Sequence, residues 1–378
     1  MSSRRYFHTF NALRFFACFR IFLLHLPKPE GKQFFNTLIF DGGEIGVDFF
    51  FVLSGFLITY LLTYEYTQTG KINAKDYLLR RAFRIWPLYF AGVFIAYFNN
   101  FISAHFNIGN NAGYTPNLFF SLTFLENYQM LFHDNFPNGA PLRVMWSLCV
   151  EEHFYMLWLL LFLLIPARHF IKAAGILWVL GIAYRGWFHY QFPTRQYVDL
   201  DIISRLDYFC AGGIAGYLTA SYPSPVKQYL LRIQRAIRYG VTIIAIAFFF
   251  AHHFIQLKLP ALFFPVVPAC LFAVLLLLIA SSTTFIHIKE SNILSWLGKI
   301  SYGFYVFHTV IILTLMALAK KANIDVLSAN LYYGFAVLAF LLTTGVSWLS
   351  WNYFESFFLG YRKKYINKKR AASTTSTL

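Results

Sequence analysis

Long apolar runs recur from one end of this 378-residue chain to the other, and no other feature constrains its fold as strongly. A run of about 20 apolar residues crosses a bilayer as a helix, because a helix satisfies its backbone polar groups internally. Ten such spans are expected, near 10–28, 43–64, 86–104, 146–166, 171–189, 204–221, 239–256, 261–281, 298–318 and 331–353. With 58% hydrophobic and 13% charged residues, the runs leave no stretch for a separate water-soluble unit. The expected fold class is therefore all-α, a polytopic membrane protein with about ten transmembrane helices. One integral-membrane domain covers 1–360, and 361–378 reads as a basic, disordered tail.

The net charge of +16 raises nucleic acid as a partner, and the placement of the charge argues against it. With the N-terminus inside, 21 of the 32 Lys and Arg residues fall on one side, at Arg4 and Arg5, Lys71 to Arg84, Arg168 and Lys172, Lys227 to Arg238, Lys289 and Lys299, and Arg362 to Arg370. That asymmetry predicts an N-in, C-in protein of the inner or plasma membrane whose basic side meets anionic lipid. Arg4 and Arg5 before an apolar run imitate a secretory signal, but Arg14 and Arg20 interrupt the run and no small-residue cleavage site follows. The first span is expected to be retained.

Ionisable groups inside apolar spans are candidates for function. Arg14 and His25 lie eleven residues apart, three helical turns plus about 20°, so they share a face at depths about 16 Å apart. The second span carries Asp48 near one end and the small pair Ser54-Gly55 at mid-depth. The fourth carries Glu151 and Glu152, which point about 100° apart, so at most one faces a given cavity. In the ninth, Ser301, Tyr305 and His308 form a polar stripe at helical spacing. Before the third span, 72–86 reads as a short amphipathic surface helix ending at Pro87. Its Arg81 and Arg84 share a face that can bind diphosphate oxygens, or simply meet lipid headgroups. Arg205 and Asp207 are expected to pair within the sixth span, and Glu355 to face the Arg81/Arg84 segment. The four cysteines read as small buried hydrophobes, and neither they nor His252-His253 suggest a metal site.

These pieces, taken together, resemble the acyltransferase-3 family of integral-membrane O-acyltransferases. The motifs are Arg14-x10-His25, Gly46-Val-Asp-Phe-Phe-Phe-Val-Leu-Ser-Gly-Phe-Leu57, Arg81-Ala-Phe-Arg84 with Ile85, Pro87 and Tyr89, Trp146-Ser-Leu-x-Val-Glu-Glu-x-Phe-Tyr155 and Ile300-Ser-Tyr-Gly-x-Tyr-x-x-His308. Cys149 and His153 depart from the Ser and Gln usual in the fourth-span motif, and no proline follows Tyr-Phe-Glu355 at the usual distance. The resemblance implies a cytoplasmic acyl-CoA donor, with acetyl-CoA expected, and an outward-facing acceptor hydroxyl on an envelope glycan or lipid-linked saccharide. It implies that His25 and Arg14 are essential and that Arg81 and Arg84 serve the donor. It also leaves room for a separate extracytoplasmic partner protein.

O-acylation needs a base at the acceptor hydroxyl, a stabilised oxyanion and a clamp for an anionic donor. His25 is the expected base, oriented by Asp48 or Glu151, with Glu152 beside them as a further catalytic candidate. Arg14, Arg81, Arg84, Ser54, Tyr305 and His308 are expected on the donor's path, and Ser54, Ser301 or His308 could carry an acyl-enzyme. The rival reading is a transporter or exporter of an acylated or anionic small molecule, using the same buried His and Arg as a path.

Overall fold

The structure, a computed structural model, describes residues 5–28, 33–106, 113–197, 199–256 and 262–361. The expected tail at 361–378 lies, past Tyr361, outside the described residues. Fifteen α-helices run in chain order among them: α1 (Thr9–His25), α2 (Gln33–Phe40), α3 (Ile45–Thr69), α4 (Ala74–Phe106), α5 (Leu118–Leu122), α6 (Glu126–His133), α7 (Leu142–Leu164), α8 (Phe170–Gln191), α9 (Leu206–Ser221), α10 (Pro223–Arg232), α11 (Arg235–Gln256), α12 (Val266–Ala280), α13 (Ile293–Lys299), α14 (Ser301–Lys321) and α15 (Ala329–Leu349). Tyr114 and Pro137 make an isolated β-bridge, and no strand occurs among the described residues.

Each of the ten expected ranges contains helix, although α1 and α12 are shorter than the spans expected of them. Among the described residues, five segments are long and apolar enough to cross a membrane by length and composition: 37–69, 142–164, 235–255, 301–321 and 331–361. Helix α12 is apolar but only 15 residues long, whereas α1 is 17 residues long and carries Arg14 and Arg20.

The most extensive packing is between α3 and α9. Glycine brings the two backbones together: a Cβ on Gly212 would lie 1.9 Å from the Val52 carbonyl oxygen, and one on Gly216 would lie 2.2 Å from that of Phe56. Gly55 meets the Phe209 carbonyl in the same way, so the mid-depth small pair of α3 divides its work, Gly55 for packing and Ser54 for a polar contact. Helix α1 packs against α13, α3 and α14, which places both ends of its polar face inside the bundle.

Buried charges secure this arrangement. Arg185 of α8 grips Asp207 through two bonds of 3.1 and 2.8 Å and also donates to the carbonyls of Ser204 and Leu262. Arg205 pairs with Asp48 at 3.1 Å, so the expected Arg205–Asp207 partnership is replaced by two pairs that tie α9 to different neighbours. Side chains two residues apart project from different helix faces, which is why the two members of that dipeptide frame diverge. Arg20 donates to the carbonyls of Leu38, Ile39 and Asp41, bracing the turn into α3.

The surface helix expected to stop at Pro87 instead continues through it as part of the 33-residue α4. A proline removes one ladder bond, and inside a helical bundle neighbouring side chains compensate the freed backbone. The Tyr302 hydroxyl donates to the Ile85 carbonyl at 2.8 Å, two residues before the proline, and ties α14 to this part of α4. Of the cysteines, Cys18, Cys149 and Cys210 are buried as expected, whereas Cys270 is exposed on the bundle's outer surface.

Candidate active site

Helix α1 holds Arg14 and His25 in two different polar settings. At the Arg14 end, the guanidinium donates to Asn11 Oδ1 at 2.9 Å, and the Asn11 amide donates to the Tyr6 hydroxyl at 3.0 Å. Arg84, Glu151 and Tyr155 are its electrostatic neighbours. Glu151 accepts from Ser54 Oγ at 3.2 Å and from the Tyr155 hydroxyl at 2.6 Å, which aims its carboxylate between α3, α4 and α7. Arg81 lies over the Tyr155 ring, 5.7 Å from its centroid. Arg84 is exposed and makes no hydrogen bond to another described residue, although Glu151 and Glu355 are near enough to act on its charge.

Glu355 reaches this cluster through a local widening of the helix. Residues Ser350–Glu355 form a π-helical turn after α15, an irregularity often found at functional sites. It buries Glu355, which accepts from Ser350 Oγ at 3.1 Å and would lie 3.3 Å from a Cβ on Gly303. The expectation that Glu355 faces the arginine segment thus corresponds to a through-space neighbour of Arg84, with no ion pair between them among the described residues.

The His25 end is built differently. His25 Nδ1 lies 2.8 Å from the Ile21 carbonyl oxygen and 3.2 Å from His308 Nε2. The two rings stand edge to face, their centroids 4.9 Å apart. His308 is fully buried, and its Nδ1 lies 2.6 Å from the Tyr305 carbonyl oxygen. Beside the His25 ring is a cavity of about 260 Å³ lined by His25, Phe136, Arg143, Thr309, Ile312 and Leu313. Thr309 is buried, and its hydroxyl has no hydrogen-bond partner among the described residues. The cavity is therefore walled by an imidazole, an aromatic ring, a threonine and Arg143, whose Nε donates to the Pro137 carbonyl at 2.9 Å.

The ten residues expected at the site consequently separate. Arg14, Arg81, Arg84, Ser54 and Glu151 gather at one end. His25 and His308 meet at the other, which moves His308 away from the donor arginines with which it was grouped. Tyr305 donates to the Val144 carbonyl at 2.7 Å and lies 2.7 Å from Ser147 Oγ, pinning α14 to α7. Glu152 turns from Glu151, as adjacent helical residues must, and accepts from Trp86 Nε1 at 3.3 Å.

Neither carboxylate expected to orient His25 meets its ring. Asp48 is engaged by Arg205 and by the Tyr208 hydroxyl at 2.9 Å, and Glu151 is held at the Arg14 end. Ser301, a candidate acyl carrier, donates to the Gly298 carbonyl at 2.9 Å, one turn back in its own chain. Sequence reasoning missed Thr309 as a cavity wall, although it follows His308 directly, and missed Phe136, which lies on a connecting segment, and Arg143, which sits in the first turn of α7. Among the described residues, no group of three or more His, Cys, Asp or Glu side chains is placed to hold a metal ion.

Among the described residues the bundle is all-helical, with Arg14 and the α4 arginines at one end of α1 and His25 at the other. The chain belongs to the acyltransferase-3 family, matching its acyltransferase domain over residues 7–352. It is 27% identical over 326 residues to the peptidoglycan O-acetyltransferase OatA of Listeria monocytogenes, covering 82% of this chain and 50% of that protein. Identity is also 27% over 331 residues to the putative peptidoglycan O-acetyltransferase YrhL of Bacillus subtilis, covering 82% and 49%. A putative O-acetyltransferase of Staphylococcus aureus is 26% identical over 330 residues, covering 82% and 51%. The chain thus spans about half the length of the curated relatives it matches. No solved structure matches it.

Proposed function

We propose that this chain is a plasma-membrane O-acyltransferase that takes an acetyl group from cytoplasmic acetyl-CoA and delivers it to a hydroxyl of an outward-facing envelope glycan. The observation that carries the reading is the division of one helix face: an open arginine cluster around Arg14 at one depth, and an imidazole over a cavity at the other.

An anionic donor fits the first setting. Arg84 has its guanidinium free for phosphate oxygens, and the Nε of Arg81 is buried without a hydrogen-bond partner among the described residues. The N-in orientation argued from the basic residues puts this cluster on the cytoplasmic side, where acyl-CoA is found. A hydroxylated acceptor fits the second setting, entering the cavity beside His25 and Thr309.

In the reaction, His25 Nε2 takes the proton of the acceptor hydroxyl as its oxygen bonds to the thioester carbon. The carbon–sulfur bond then breaks, and the proton passes from His25 to the departing thiolate, leaving free CoA and the acetyl ester. A neutral imidazole suits both halves of that cycle.

The test uses the purified full chain with acetyl-CoA and isolated peptidoglycan strands, reading free thiol and acetyl ester formed. His25→Ala is expected to lower turnover by about 10³-fold, the usual share of a general base. Wild-type turnover in that variant would overturn the base assignment.

A further inference from the structure

We infer that His308 is a positioning residue for His25: its Nε2 accepts a hydrogen bond from His25 Nδ1–H and thereby keeps the lone pair of His25 on Nε2, the nitrogen left open to the cavity. The inference rests on the reading of His25 as the base, and it names the partner that neither Asp48 nor Glu151 supplies.

Atoms that can only accept fix where the two imidazole protons lie. The Tyr305 carbonyl oxygen, 2.6 Å from His308 Nδ1, cannot donate, so that nitrogen carries the proton. A neutral imidazole has one N–H, which leaves His308 Nε2 as a bare acceptor. That acceptor lies 3.2 Å from His25 Nδ1, and the Ile21 carbonyl oxygen lies 2.8 Å from the same nitrogen. Two acceptors converge on His25 Nδ1, so it must hold the proton and Nε2 must hold the lone pair. The opposite tautomer would set lone pair against lone pair in a buried site.

The Ile21 carbonyl alone does not fix the ring. It belongs to the helical ladder of α1 and already accepts from a backbone N–H, whereas His308 approaches from a different helix and defines the ring's rotation. The approach is itself fixed, since the Tyr305 hydroxyl, bonded to Val144 and close to Ser147, anchors this part of α14 to α7. A neutral acceptor also avoids the cost of burying an unpaired carboxylate beside a neutral imidazole. When His25 takes the acceptor's proton, the Nδ1–H bond to His308 becomes charge-assisted and strengthens, with no change of protonation required of His308. The charged side chains nearest to His25 are Arg143 and Glu44, whose influence is through space.

The test compares His308→Gln and His308→Leu with the wild-type full chain, using acetyl-CoA and isolated peptidoglycan strands as probes. Glutamine keeps an oxygen able to accept from His25 Nδ1–H, and leucine fills the space without an acceptor. His308→Leu is expected to lose about 10- to 100-fold in kcat with KM for acetyl-CoA unchanged, the usual effect of removing an orienting partner, and His308→Gln to restore most of it. Equal loss in both variants, or wild-type turnover in His308→Leu, overturns the inference. Histidine ¹⁵N spectra, with the His25 resonances assigned by their absence in His25→Ala, give a readout independent of turnover and of either variant's folding. Wild-type His25 is expected as the Nδ1–H tautomer, and a proton on Nε2 overturns the positioning role. A protein with the expected tautomer but no acyl transfer would instead sink the proposed function and leave the histidine contact standing.

Discussion

Arg84 offers the most direct measure of how the donor is held. Arg84 is an exposed residue, makes no hydrogen bond to another described residue and lies close to Arg81 and Arg14, so an arriving phosphate meets a fork that is free to bind. A hydrogen bond to a charged group contributes about 1.5–3 kcal/mol, and a bidentate fork makes two. Solvent access and the competing carboxylates of Glu151 and Glu355 reduce that gain, so about 3 kcal/mol is expected overall, or about 10²-fold in affinity. Arg84→Gln should therefore raise KM for acetyl-CoA by about 10²-fold with kcat nearly unchanged. Arg84→Lys, which keeps the charge and loses the fork, should raise it about tenfold. The control donor is S-acetylpantetheine, which lacks the phosphates: its KM should be the same in wild type and Arg84→Gln. An equal rise for both donors, or a fall in kcat alone, would refute the phosphate role.

Two further predictions concern the scaffold. Arg185→Met strands Asp207 in the bundle interior and should destabilise the protein by about 3–5 kcal/mol, while adding Asp207→Leu should recover most of the loss; thermal unfolding in detergent decides, and a double variant no more stable than the single one would contradict this. Burial pushes the Asp199 carboxyl up, but His189 at 3.5 Å and the nearby Arg205 outweigh it and hold its pKa below the usual range. A depressed carboxylate stabilises the fold above its unfolded value, about 3.9, and that contribution is lost as pH falls through the folded value. The Tm of wild type should exceed that of Asp199→Asn at pH 7 and converge with it in acid; a gap that widens in acid would contradict the assignment.

The sequence placed helices well because their signal is local. Apolar length, glycine punctuation and the eleven-residue spacing of Arg14 and His25 all lie within single segments, and α1 carries that pair as its periodicity requires. Partnerships between segments were much less legible. Nothing in the order of residues says that Arg205 turns to Asp48, 157 positions away, and leaves Asp207 to Arg185. The meeting of His25 with His308 is equally remote, 283 positions apart, though an imidazole deep in the otherwise apolar half of the ninth span was a usable sign. Pro87 misled for the opposite reason: the local rule that proline ends a helix gives way inside a bundle, where packing against neighbouring helices carries α4 through the one lost ladder bond.

The glycine contacts between α3 and α9 bear on how the two ends of the site communicate. Backbones this close, cross-linked by Arg205–Asp48 and joined to α8 through Arg185–Asp207, form a tightly packed strut, and α3 sets it against α1, the helix that carries Arg14 and His25. A carrier that rocks open to each side in turn would have to shear that strut on every cycle, breaking buried ion pairs as it went. The proposed transfer past a stationary wall needs no such motion, since the long flexible arm of an acyl-CoA donor supplies the reach.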